Sequence, residues 1–344
     1  MITLREHFNI RELNTPPINE VNGKPLYFSS GIDYAFKSML VILSMIATSL
    51  LFIICTPHNA LAWGAGIHLQ LGTAVLNSLP LLSPAVADII GEFPHDFLYG
   101  CIAADITIGK KFTHYLLHCH RWQVGLRVLE SAEAPPQIAC AYGYLSHLAA
   151  DTVAHNYYIP YKTMRSFSTL TLKHAYWEMR FENFVDKEIW ETGRIISQEN
   201  YRANDALLRR VLSDTIFSFG TNKRIFNSIL LVSRLEKWQQ VLQTLTQSSR
   251  FSLEASDREE YMGLAQEAVF DYLNNMENSR FFLADPTGER ALATAEAVRK
   301  NLRLLYRSGK LTKDQATEEL DGIKVKLREA ICVPDRLLQI LSTE

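Results

Sequence analysis

The segment "AYGYLSHLAADTVAH", residues 141–155, constrains this chain more than any other. It is apolar enough to be a buried helix, yet it carries His147, Asp151 and His155 at four-residue intervals. Each four-residue step turns a helix by about 40°, so the three side chains share one face. Polar groups on a core-facing surface are costly unless something satisfies them. His147 and Asp151 lie about 6 Å apart along the axis and can converge on one ion. His155 lies about 12 Å from His147, too far to share one tetrahedral ion with bonds of about 2.0–2.2 Å. The helix therefore implies at least two metals, with Asp151 central enough to bridge them.

The rest of the histidine set points the same way. Of ten histidines, His7 and His58 come early; the other eight, His68, His95, His114, His118, His120, His147, His155 and His174, fall between residues 68 and 174. His174 and Glu178 form a second pair at i, i+4 and could complete the ion held by His155. Imidazole with carboxylate suits zinc. Five cysteines form no CxxC pair and no dense disulfide framework. A formal net charge of −2 gives no electrostatic case for an obligate nucleic-acid partner.

The expected fold class is all-α. "GIHLQLGTAVLNSL" and "HRWQVGLRVLESA" have helical apolar spacing, and no alternating strand runs occur. The pattern over 137–158 predicts one long helix ending before Pro160. A loop, "YKTMRSFSTLTLK", follows it, and the next helix begins near His174. Residues 1–62 read as a leader. Its apolar core, residues 39–55, follows Lys37, and "ALA" at 60–62 has the form of a signal-peptidase site that would make Trp63 the mature terminus. The expectation is export to the periplasm or the medium, with membrane anchoring through 39–55 as the alternative. The remainder divides into a catalytic domain, 63–195, and a helical C-terminal region, 196–344.

The order Trp63-x4-His68, Asp105, a histidine at 118 or 120, His147-x3-Asp151, His155 and His174-x3-Glu178 resembles the zinc-dependent phospholipase C family, which shares its fold with S1/P1-type nucleases. "ENFVD" at 182–186 adds to the likeness, which covers roughly residues 63–190. The resemblance implies a multi-helix phospholipase C/P1 nuclease-like domain, with additional C-terminal helices, and three zinc ions. The first ion would take Asp105, His118 or His120, His147 and Asp151; the second, His155, His174 and Glu178. The third would take the backbone nitrogen and oxygen of Trp63 with His68 and Asp151. Asp105 would also orient or deprotonate the attacking water. His118 and His120 remain open, with His120 favoured by its separation from Asp105. His114 reads as a helix-face or supporting residue, and Glu182 is runner-up to Glu178. His95 and Asp96 read as cap or surface groups, and Tyr157, Tyr158 and Tyr161 as core packing.

The implied function is hydrolysis of phosphoric esters, phospholipase C-like. The partners would be a phospholipid or another phosphodiester substrate, with contact to a membrane surface. Ile106 stands where some phospholipases carry an aromatic headgroup contact, which argues against choline specificity. The alternatives are an S1/P1-type nuclease and a metal-stabilised binding module. No basic-aromatic groove supports the nuclease, and no protein partner can be inferred.

Overall fold

The structure is a computed structural model. It describes residues 63–107, 118–169, 174–212, 217–233 and 253–341, together with Gln240, Thr244 and Phe251. The leader, its apolar core at 39–55, the "ALA" at 60–62 and His114 lie outside the described residues. All described residues belong to one compact unit. They are helical, with no strand among them, as the missing alternation predicts.

Helices α1 (Ala65–Leu76), α2 (Pro84–Glu92), α3 (Pro94–Ala103), α4 (Trp122–Glu130) and α5 (Pro135–Val153) form the first group. After α5 come a π-helical turn (Ala154–Tyr158), α6 (Ile159–Arg165), α7 (His174–Glu182), α8 (Lys187–Gln198), α9 (Arg202–Val211) and α10 (Phe219–Ser233). The C-terminal portion contributes α11 (Ala255–Asn275), α12 (Glu289–Arg307), α13 (Lys313–Ala330) and a short α14 (Leu338–Leu341). Residues on both sides of position 195 share one apolar core: Tyr144 and Leu148 belong to it, and so do Tyr261, Val269, Phe281 and Leu327. No described helix is long and apolar enough to cross a membrane.

Helix α5 is the axis of this unit, and its starting residues suit that role. Pro135 and Pro136 open the helix where no N–H is required, while Gln137 Oε1 accepts the N–H groups of Glu133 and Ala134. Every residue from Ala139 to Val153 except Tyr142 is buried. Helix α3 crosses α5 with backbone against backbone. A Cβ on Gly143 would sit 2.0 Å from the Phe97 carbonyl oxygen, and one on Gly100 would sit 2.0 Å from that of Cys140. This approach exists only because both residues lack side chains, and it brings the end of α3, with Asp105 just beyond, to the His147 turn of α5.

The expected stop before Pro160 is not what the chain does. Helix α5 passes into the π turn and then α6, which carries Pro160 in its first turn and continues to Arg165. In a regular α-helix the Pro160 ring would clash with the carbonyl four residues back, at Asn156. The wider π turn immediately before it makes room, so residues 161–165, expected as loop, are helical. His155 lies within that turn.

One substitution made at two glycines tests the crossing. Gly143→Ala is expected to destabilise the protein by about 3 kcal/mol or more, because backbone atoms block the added carbon. Gly263→Ala, on an exposed face of α11 with nothing near the added carbon, is expected to stabilise by about 0.5–1 kcal/mol. Denaturant unfolding of both variants checks the opposite signs.

Candidate metal centre

Four side chains from three parts of the chain meet at the Gly100–Gly143 crossing. Asp105 follows α3 on a short 3-10 turn (Ala104–Ile106), His120 precedes α4, and His147 and Asp151 project from α5. His120 Nε2 lies 3.3 Å from Asp105 Oδ1, 3.3 Å from Asp151 Oδ2 and 3.1 Å from His147 Nε2. His147 Nε2 lies 3.3 Å from Asp151 Oδ2. The edge of a tetrahedron with zinc–ligand bonds of 2.0–2.1 Å is about 3.3–3.4 Å. His120, His147 and Asp151 are thus spaced as ligands of one ion, with Asp105 at the same distance from His120.

The hydrogen bonds around them support this. His147 Nδ1 donates to the Cys101 carbonyl at 2.8 Å, so in the neutral ring the lone pair is on Nε2, which faces the cluster. His120 Nδ1 is 3.3 Å from Cys119 Sγ, leaving Nε2 directed inward. Asp151 is fully buried, and neither of its oxygens has a hydrogen bond of good geometry. Such a carboxylate would cost several kcal/mol with no cation to face. Burial alone would push its pKa up, yet His147, His155 and His68 hold it well below the usual carboxylate range. Burial likewise opposes charge on His147, but Asp151 and Asp105 raise its pKa. Buried anions that draw a proton on to an imidazole also favour a metal cation. The donor set and its unsatisfied atoms therefore fit zinc.

His68, on α1, stacks on the His147 ring at 3.7 Å and brings Nε2 to 3.4 Å from the second oxygen of Asp151. Neither ring nitrogen of His68 has a hydrogen bond, although the residue is buried. Burial, with His147 beside it, lowers its pKa, which keeps the ring neutral. Asp151 thus faces His120 and His147 with one oxygen and His68 with the other, the arrangement a bridging carboxylate requires.

A second group lies further along. His174 Nε2 is 2.9 Å from Glu178 Oε1, and the His174 ring meets that of His155 at 5.5 Å, edge to face. The Trp63 ring is fully buried between Phe181 and Tyr158, which belong to the helix and the π turn carrying this second group.

The remaining predicted residues separate. His118 Nδ1 accepts the backbone N–H of His120, and its ring lies 5.7 Å from that of His120. His118, Cys119 and His120 are close enough to form a ligand group of their own, but His120 is the residue within ligand distance of Asp105 and Asp151. Glu182 turns to the start of α1, where its Oε1 accepts the Ile67 N–H at 3.0 Å. Gly64 and Gly66 make room for it, since a Cβ on either would lie within 2.8 Å of this side chain. Burial pushes the Glu182 carboxyl up to about 7, against the pull of the Ile67 and Gly66 N–H groups. His95 pairs with Glu199 at the surface, and Asp96 accepts from Asn204. Tyr157, Tyr158 and Tyr161 are buried, with hydroxyls on Glu260, the Trp177 carbonyl and Asp321.

One contribution escaped the sequence reading. "DPTGER" is a short polar stretch between apolar helical segments, yet residues 284–288 grip the π turn. His155 Nδ1 donates to the Pro286 carbonyl at 2.5 Å, and His155 Nε2, buried, has no hydrogen bond. Asn156 donates to the Asp285 carbonyl, and Trp122 Nε1 to that of Ala284. Asp285 closes the turn by accepting from Thr287 N–H and hydroxyl. Gly288, at φ +58°, lies so close that a Cβ would fall 2.4 Å from His155 Cβ. The usable signal was a glycine two residues after a proline in a short polar turn.

Gly288→Ala is therefore expected to weaken the most loosely held zinc by about 10–100-fold, the usual effect of losing a ligand's supporting hydrogen bond. Gly309→Ala, at φ +70° with no neighbour for the added carbon, imposes similar backbone strain away from the site. It should lower stability without changing zinc affinity. Chelator competition on both variants separates the two effects.

Comparison with known proteins adds the family. No curated protein and no solved structure matches the chain. Residues 67–217, which contain every described candidate ligand except Trp63, match the family model described as zinc dependent phospholipase C, and this segment is similar to that family.

Proposed function

We propose that the protein is a zinc-dependent hydrolase of phosphoric esters acting on phospholipid in the manner of a phospholipase C. The observation that supports this reading is the set of three atoms around His120 Nε2, from Asp105, His147 and Asp151, inside the family segment. One zinc would be held by Asp105, His120, His147 and Asp151. A second would take His155, His174 and Glu178. A third would take His68 and the other oxygen of Asp151, with the backbone of Trp63 after removal of the leader. Zinc bound there would lower the pKa of water toward neutrality and neutralise charge on the phosphoryl oxygens.

The residues divide the remaining work. Asp105 is the most accessible member of the inner cluster, at 8% exposure against 0–2% for His68, His120, His147 and Asp151. It is the group placed to accept a proton from the attacking water. Asp151 would hold zinc through its oxygens, one facing His120 and His147 and the other His68. The carbonyls of Cys101 and Pro286 hold His147 and His155 in the tautomer that leaves Nε2 for the metal. Export, with Trp63 as the new terminus, belongs to the same proposal: only a free amine there could add a ligand nitrogen.

Asp151→Asn is expected to lose bound zinc and more than 100-fold of activity while keeping its helical content. Metal analysis of the purified protein, with parallel assays on phospholipid, nucleic acid and a generic phosphodiester, checks this. Equal zinc and equal activity in the variant would refute the site, and turnover of nucleic acid alone would favour a nuclease.

A further inference from the structure

The turn that joins α12 to α13 is unlike the rest of the surface. Residues 299–313, "RKNLRLLYRSGKLTK", contain six lysines and arginines and no acidic residue, in a chain whose formal net charge is −2. Among the described residues Lys300, Arg307, Lys310 and Lys313 form no ion pair, and Arg303 meets Glu296 only at longer range. Within this basic segment, Leu304 is 61% exposed, Leu305 41% and Tyr306 39%. Leu304 lies on the same helix face as Lys300, Arg303 and Arg307, with Leu305 beside it, while Tyr306 turns away to pack on Phe167.

The tip is also rigid. Helix α12 ends with Gly309 in the left-handed region, Gly309 N–H bonded to the Tyr306 carbonyl and Lys310 N–H to that of Leu305. Helix α13 opens with Thr312 and Gln315 capping each other reciprocally. Arg299, the one partnered cation of the segment, ties α12 to the Thr169 carbonyl and Glu296. Lys300, Arg303, Leu304 and Arg307 follow i, i+3, i+4, i+7 and share one helix face. A segment held at both ends that still presents leucines to water is built to meet something.

Tyr306 and Lys313 also line a cavity of about 610 Å³, whose wall includes Lys162, Phe167 and Trp177. Trp177 immediately precedes Glu178, a candidate ligand. The basic apolar tip thus stands at the edge of a cavity that reaches the helix of the second metal group.

We propose that the α12–α13 tip is a peripheral docking surface for anionic lipid bilayers, with Leu304 and Leu305 entering the headgroup region and Lys300, Arg303, Arg307, Lys310 and Lys313 facing lipid phosphates. This deepens the phospholipid reading and rests on it only for the effect on hydrolysis; binding itself does not depend on the metal site. Charge complementarity selects a polyanionic surface, and the exposed leucines select lipid over nucleic acid, which would offer them only water. A bilayer attracts each basic residue near its surface enough to shift binding by about fivefold, and salt screens that attraction.

The protein as exported is sedimented with vesicles of phosphatidylcholine alone and with vesicles containing one third phosphatidylglycerol. Binding is expected to the anionic vesicles only and to fall at least tenfold between 0.1 and 0.5 M salt, on the order of the screening expected for several surface charges. Arg303→Glu with Arg307→Glu should weaken it by more than about 25-fold, at about fivefold per charge removed. Leu304→Asp with Leu305→Asp should weaken it with zinc content unchanged. Both variants should hydrolyse a monomeric short-chain phospholipid as the wild type does and lose rate on vesicles. Wild-type protein that ignores anionic vesicles, or variants that bind them equally, would overturn the proposal. So would a nucleic acid binding at the tip more tightly than the vesicles, or a dimer that the leucine variant dissolves while vesicle binding persists. Absence of hydrolysis on the monomeric substrate would instead count against the catalytic reading and leave the vesicle result standing.

Discussion

The fold is arranged around one carboxylate. Asp151 has no exposed surface, and the nitrogens of His68, His120 and His147 stand 3.3–3.4 Å from its oxygens. That separation is longer than a good hydrogen bond and matches the edge of a zinc tetrahedron. A cation would make such a group tolerable, and the surrounding elements bring the other candidate ligands to it. Helix α1 carries His68, the turn after α3 carries Asp105, and the segment before α4 carries His120.

Two backbone devices make this convergence possible. Gly100 and Gly143 let α3 and α5 touch through their main chains, so the Cys101 carbonyl can reach His147 Nδ1. The π turn widens α5 where His155 sits and admits Pro160 without ending the rod. Extra residues in helical turns are often found at functional sites because they re-aim a side chain at a local cost. Here the re-aimed residue is His155, whose ring is then held by a carbonyl from another part of the chain.

Much of this was legible in the sequence, for identifiable reasons. His147 and Asp151, and His174 and Glu178, could be paired from spacing alone because a helix puts i and i+4 on one face. The all-α class followed from apolar residues at helical spacing and absent alternation. The choice between His118 and His120 was not settled there, because both lie outside a helix and two-residue spacing fixes no direction. Glu182 could be ranked below Glu178, but its use at the start of α1 depends on missing side chains at Gly64 and Gly66, which no residue spacing reveals. The Pro286 carbonyl left only an indirect mark, the glycine two residues after the proline.

That last contact bears on how the chain is divided. The family segment ends at residue 217, and all the described side chains proposed as ligands lie within or before it. Yet the hydrogen bond orienting His155 comes from residue 286, and the cavity beside α7 is closed by residues of α12 and α13. A ligand whose tautomer is set by a distant carbonyl depends on the packing of the helices that carry that carbonyl. Loosening the start of α12 would therefore be felt directly at His155, whose ring the Pro286 carbonyl holds. The C-terminal helices share the apolar core with the helices before residue 195 and lie directly against the turn that carries His155.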